Sequence, residues 1–146
     1  MIRSYLLDLN VLLALVDSGH QHHQKATEWF ESYGKFNWGL CPLTEAAFLR
    51  VAANPAYRPE PNALEQAVAV LRGLKEHHGF LYWEIDKSWT ELTAPFAARI
   101  NGHRQITDAY LLGLAIEKKG ALVTFNKGTH ALAGAEFQAN VLLLGA

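Results

Sequence analysis

Apolar residues fall along this chain in short unbroken runs and in helix-spaced sets, divided by Gly, Pro, Asn and Asp. Tyr5 to Asp8 is apolar up to its last residue, which suits a strand buried on both faces. Asn10 can start a helix over Val11 to Val16. Ser18, with Gln21 three places later, has the form of a capping box. The helix it opens carries Ala26, Trp29, Phe30 and Tyr33 on one face and stops at Gly34. Phe36 to Leu40 predicts a second strand, and Thr44 opens a helix that must end before Pro55. Asn62 caps an amphipathic helix whose inner face is Leu64, Ala67, Val68, Leu71 and Leu74. Phe80 to Ile85 reads as an aromatic-rich strand, and Trp89 to Ile100 as a helix disturbed at Pro95. Thr107 to Lys119 is a core helix with cations in its last turn and Gly120 after it. Ala121 to Phe125 and Asn140 to Leu144 are the closing strands. Strands alternating with helices predict an α/β fold with a parallel sheet covered on both faces.

At 146 residues the chain reads as one domain, 1–146. That length can bury about 70% of the surface its unfolded form exposes. A formal net charge of −1 supplies no global field toward nucleic acid or anionic membranes, so any RNA contact must be local. Cys41 is the only cysteine, which excludes an internal disulfide and suits a small buried hydrophobe beside Pro42. The apolar start, Tyr5 to Val16, falls short of the roughly 20 residues of a membrane span. Asp8 and Asn10 interrupt it, and no signal-type cleavage site follows. A cytoplasmic protein is expected.

Candidate chemistry lies in three acids beside apolar runs: Asp8, Glu45 and Asp108. An open α/β sheet gathers such junctions at the carboxyl ends of its strands. A like-charged pair at 4 Å costs about 4 kcal/mol at an effective dielectric near 20. Against a total stability of roughly 5–15 kcal/mol, a cluster kept ionised calls for a cation. Hard oxygen ligands favour Mg²⁺ or Mn²⁺, and the pattern points to a metal-dependent phosphodiesterase. Each acid has a plainer role open to it: Asp8 as a turn or cap, Glu45 and Asp108 at the positive ends of helices. Asn126, after the strand ending at Thr124, can offer a neutral oxygen to a metal or simply make an Asn-Lys-Gly turn. Arg50, Arg104 and Lys127 are candidates for contacting RNA phosphates. His20, His22 and His23 lack the spacing of ligand pairs on one helix face and read as a solvated helix start.

With these residues laid out, the chain resembles a PIN-domain ribonuclease of the VapC toxin type. The resemblance rests on Leu7-Asp8-Leu9-Asn10-Val11-Leu12-Leu13-Ala14-Leu15 and on Cys41-Pro42-Leu43-Thr44-Glu45-Ala46-Ala47-Phe48-Leu49-Arg50-Val51. It continues through Gly102-His103-Arg104-Gln105-Ile106-Thr107-Asp108-Ala109-Tyr110-Leu111-Leu112 and Leu122-Val123-Thr124-Phe125-Asn126-Lys127-Gly128. Four such segments in order and at the right spacing are specific. The resemblance implies a three-layer α/β/α domain that cuts single-stranded regions of transfer or ribosomal RNA with Mg²⁺ or Mn²⁺. It also implies a homodimer and a cognate antitoxin that covers the site. Asp8, Glu45 and Asp108 then match the family's metal-binding acids. Asn126 stands where the family motif usually has Asp, which weakens a second metal position most.

Three alternatives stay open. Phosphatases with an aspartyl nucleophile also place Asp after the first strand, but their second Asp, two residues on, is here Asn10. A PIN-like binding module, impaired by Asn126 and acting through an antitoxin in a repressor complex, is the non-enzyme reading. An α/β domain whose acids merely cap helices is the third, and it predicts no stabilisation by Mg²⁺.

Overall fold

The computed structural model describes residues 3–145. Its centre is a parallel sheet of β1 (Tyr5–Leu7), β2 (Trp38–Gly39), β3 (Ala121–Thr124) and β4 (Val141–Leu143) in the order β2-β1-β3-β4. The strands pair in register: Leu6 with Leu122 and Leu122 with Val141. Because side chains alternate across a strand, Leu6 and Leu122 face one side of the sheet while Leu7 and Val123 face the other. This is why the strands read as continuous apolar runs: both faces are covered.

On the Leu7 side pack α1 (Leu9–Val16), α2 (His23–Ser32), α3 (Pro42–Ala52) and α4 (Ala63–Lys75). On the Leu6 side lie α5 (Trp89–Thr93), α6 (Ile106–Glu117) and α7 (Lys127–Ala133). The expected α/β/α layering is therefore present. Helix α6 carries the densest apolar set, with Ala109, Leu111, Leu112, Gly113, Leu114 and Ala115 all buried. It sits close to α5: a β-carbon added at Gly113 would lie 2.6 Å from the Leu92 carbonyl oxygen, so this position has no room for a side chain. Among the described residues no helix is long and apolar enough to cross a membrane.

Several local expectations are corrected. Helix α2 begins at His23, not at Ser18. Asp17 Oδ1 accepts from Gly19 N (2.9 Å) and His22 N donates to His20 Nδ1 (3.0 Å), so the side chains hold this stretch as a turn. Of the face drawn there, Trp29 is buried but Tyr33 is 66% exposed, because the helix ends before Tyr33 can turn inward. Leu64 is likewise exposed, in the first turn of α4, while Ala67 and Leu71 face the core.

The segment after Gly79 runs beside β2 through Leu81 N to Trp38 O (2.8 Å) and Trp83 N to Leu40 O (2.9 Å). It makes only one regular bridge, Trp38 with Phe80, rather than a strand to Ile85. The Leu81 carbonyl presses so closely on Gly39 that a β-carbon there would lie 1.7 Å away. Helix α5 stops at Thr93 and continues as a tighter 3₁₀ stretch through Pro95, which has no N–H for a helical bond. Helix α7 has no counterpart in the apolar pattern, since it is short and opens Lys-Gly-Thr-His.

Candidate active site

Strand β1 hands the chain directly to α1. Asp8 N donates to Val123 O (3.0 Å), extending the ladder by one residue, and Asp8 then becomes the N-cap of α1. Its Oδ1 accepts from Leu9 N (2.7 Å) and its Oδ2 accepts from the Thr124 hydroxyl (2.7 Å) at the end of β3. Asp8 is only 7% exposed. Burial raises its pKa above the ordinary carboxylate value, and the bonds from Thr124 and Leu9 pull it part of the way back. Asp8 is thus at once a helix cap and a buried carboxylate.

Asp108 is reached without a strand directly before it: a 3₁₀ turn at His103–Gln105 leads into α6, and Asp108 lies in that helix's first turn. Burial raises its pKa, the neighbouring Asp8 charge raises it further, and the Thr129 hydroxyl and Asn126 amide oppose both. A carboxyl whose ionisation is held back by burial and by a neighbouring carboxylate marks a site that gains from a bound cation.

Asn126 completes this group. Its amide Nδ2 donates to Asp108 Oδ2 (2.9 Å), its Oδ1 accepts from Gly128 N (2.8 Å) to cap α7, and its backbone N donates to Thr124 Oγ1 (3.0 Å). A crevice of about 340 Å³ opens here, lined in part by Asp8, Asn10, Thr44, Thr107, Asp108 and Asn126. It sits beyond the carboxyl ends of β1 and β3, where the chain order of the sheet reverses, the usual ligand position in open α/β folds.

Glu45 is not brought into the crevice. Leu43, Thr44 and Ala47 of α3 line the crevice, and Glu45 does not. Its carboxylate instead pairs with Lys75 of α4 at 2.5 Å. Of the basic candidates, Arg104 lies in the 3₁₀ turn just before α6, Lys127 is the first residue of α7, and Arg50 is in the last turn of α3. All three are exposed. Thr124 was the residue the sequence pattern did not single out. Its signal was a hydroxyl ending an otherwise aliphatic buried strand.

A family model described as a PIN domain matches residues 5–135. The chain belongs to the PIN-domain family. Curated relatives place it on the VapC branch. Ribonuclease VapC38 of Mycobacterium tuberculosis is 41% identical over 128 residues, covering 88% of this chain and 89% of the relative. Ribonuclease VapC44 of the same species is 34% identical over 122 residues, covering 84% and 85%. Among solved structures, VapBC2 from Rickettsia felis, bound to a DNA fragment from its promoter, superposes with a TM-score of 0.64. It has 12% identity and covers 96% of this chain and 98% of that one, a likeness of fold.

A PIN domain implies a divalent metal, and the donors here fit one. Asp8 and Asp108 offer hard carboxylate oxygens, and Asp8 has lone pairs beyond the two its hydrogen bonds use. Among the described residues no three acidic, His or Cys side chains converge on one point, so the crevice presents a pair of acids. Such a pair can hold a divalent ion that keeps several of its waters.

Proposed function

We propose that this PIN domain is a Mg²⁺- or Mn²⁺-dependent endoribonuclease toxin. It would hydrolyse phosphodiester bonds in single-stranded loops of transfer or ribosomal RNA and be neutralised by a cognate antitoxin. The observation that carries this is the buried Asp8 beside Asp108 at the carboxyl edge of the sheet, in a chain 41% identical to a protein named as a ribonuclease. Asp8 and Asp108 would hold the ion. Such an ion supplies a Lewis acid against the scissile phosphate and makes water a nucleophile at neutral pH.

The chain's own part is positioning and charge. Thr124 orients Asp8 through its hydroxyl, and Asn126 holds Asp108. Arg104 and Lys127, on the two segments that lead to Asp108 and follow Asn126, are suited to the RNA backbone, with Arg50 further along α3. The protein would act in the cytoplasm as a homodimer.

The test is cleavage of total cellular RNA by the purified, partner-free protein, with and without Mg²⁺ or Mn²⁺, beside Asp108→Asn. Discrete fragments that require metal and vanish in the variant are expected. A folded protein that cuts nothing under any metal would refute the nuclease.

One observation favours a second reading. With Glu45 paired to Lys75 and Asn126 in an acid's place, the crevice holds fewer charges than the family motif supplies. A PIN-like binding module working through an antitoxin complex would then cause no growth arrest when expressed without its partner. A toxin would arrest growth, and Asp8→Asn would abolish the arrest.

A further inference from the structure

Asn126 is tied to both crevice carboxylates. Its amide reaches Asp108 Oδ2 directly at 2.9 Å, and its backbone N–H reaches the same Thr124 hydroxyl that donates to Asp8. The orientation of the amide is settled by chemistry. Gly128 N–H can only donate, so the group facing it at 2.8 Å must be Oδ1. What Asn126 turns to Asp108 is therefore an N–H, which cannot ligate a cation.

Charge gives the same answer. The carboxylates lining the crevice are Asp8 and Asp108, while Glu45 is on another face of α3 with Lys75 as its partner. Their combined charge when ionised is −2, which one divalent ion balances. A carboxylate in place of Asn126 would set two like charges about 3 Å apart, an arrangement that needs a cation beside it. Here the amide hydrogen occupies that place and holds Asp108 without one.

We propose that this crevice is a single-ion centre in which Asn126 is a positioning residue, its amide orienting Asp108 in place of a second cation. The proposal rests on the reading of the crevice as a metal site. It predicts that replacing the amide with an acid creates the second ion position.

The experiment is Mn²⁺ titration of the purified chain, by calorimetry for stoichiometry and by electron paramagnetic resonance for coupling between ions. Wild type should bind one Mn²⁺ per chain with an uncoupled spectrum. Asn126→Asp should bind two, with the broadened spectrum of a coupled pair. Asn126→Ala, which removes the bond to Asp108 without adding charge, should still bind one, about 10–100-fold more weakly. Wild type binding two coupled ions, or none, overturns the proposal. So does Asn126→Asp remaining at one ion, or Asn126→Ala keeping full affinity. RNA cleavage measured on the same samples separates this from the nuclease reading: one-ion binding in the predicted pattern by a protein that cuts no RNA removes that reading and leaves the metal assignment.

Discussion

Thr124→Val tests the carboxylate scaffold most directly, because the change alters hydrogen bonding while nearly preserving shape. Thr124 is fully buried, and its hydroxyl donates to Asp8 Oδ2 at 2.7 Å while accepting from Asn126 N at 3.0 Å. A hydrogen bond to a charged group is worth about 1.5–3 kcal/mol, and stranding the Asn126 N–H adds about 1 kcal/mol. The expected loss is therefore about 2.5–4 kcal/mol at pH 7 in chelator-treated protein. Thr124→Ser is the control: it keeps both bonds and removes one methyl, at about 1 kcal/mol. Urea unfolding of both variants gives the difference.

The difference should depend on pH. The Thr124 bond favours ionised Asp8 and holds its raised pKa down, so removing it raises that pKa further. A higher folded pKa means more protons bound in the native state, so stability falls more steeply as pH rises. The Val-to-Ser gap should accordingly shrink on acidification, toward the roughly 1 kcal/mol of a neutral hydrogen bond. Thr124→Val tolerated as well as Thr124→Ser, or a gap unchanged from pH 7 into the acid range, would show that the Thr124 hydroxyl does not support an ionised Asp8.

Burial raises both Asp8 and Asp108, so the stability they permit at low pH is lost as pH climbs from the ordinary value of 3.8 through their folded values. Relative to wild type, metal-free Asp8→Asn should gain stability across that climb in urea melts, and millimolar Mg²⁺ should stabilise wild type while leaving the variant unmoved. Glu45→Gln should change stability by less than about 1 kcal/mol, since its pair with Lys75 is partly exposed, and should keep Mn²⁺ affinity within about threefold. A tenfold loss of Mn²⁺ affinity would show Glu45 reaching the ion. Leu112→Ala, at a fully buried position of α6, should cost about 2–5 kcal/mol in urea unfolding; a value under 1 kcal/mol would mean the core between α6 and the sheet collapses to fill the gap.

Sequence by itself determined the α/β class, β1, β3 and the core of α6, because strands buried on two faces and an enclosed helix must be apolar along their whole length. It also singled out Asp8 and Asp108, since an ionisable side chain inside or opening such a run is costly unless it has a use. Tertiary structure alone decided the rest. Whether Glu45 joins the acids depends on how α3 is set against the crevice and on Lys75, thirty residues away, neither of which spacing along the chain reveals. The start of α2 turned on Asp17 and His20 side chains competing for backbone N–H groups, and the edge beside β2 turned on how closely Leu81 crosses Gly39. Asn126 shows the division most clearly. Its place in the motif could be read from the chain, but only the bond from Gly128 orients its amide, and that orientation makes it a donor to Asp108.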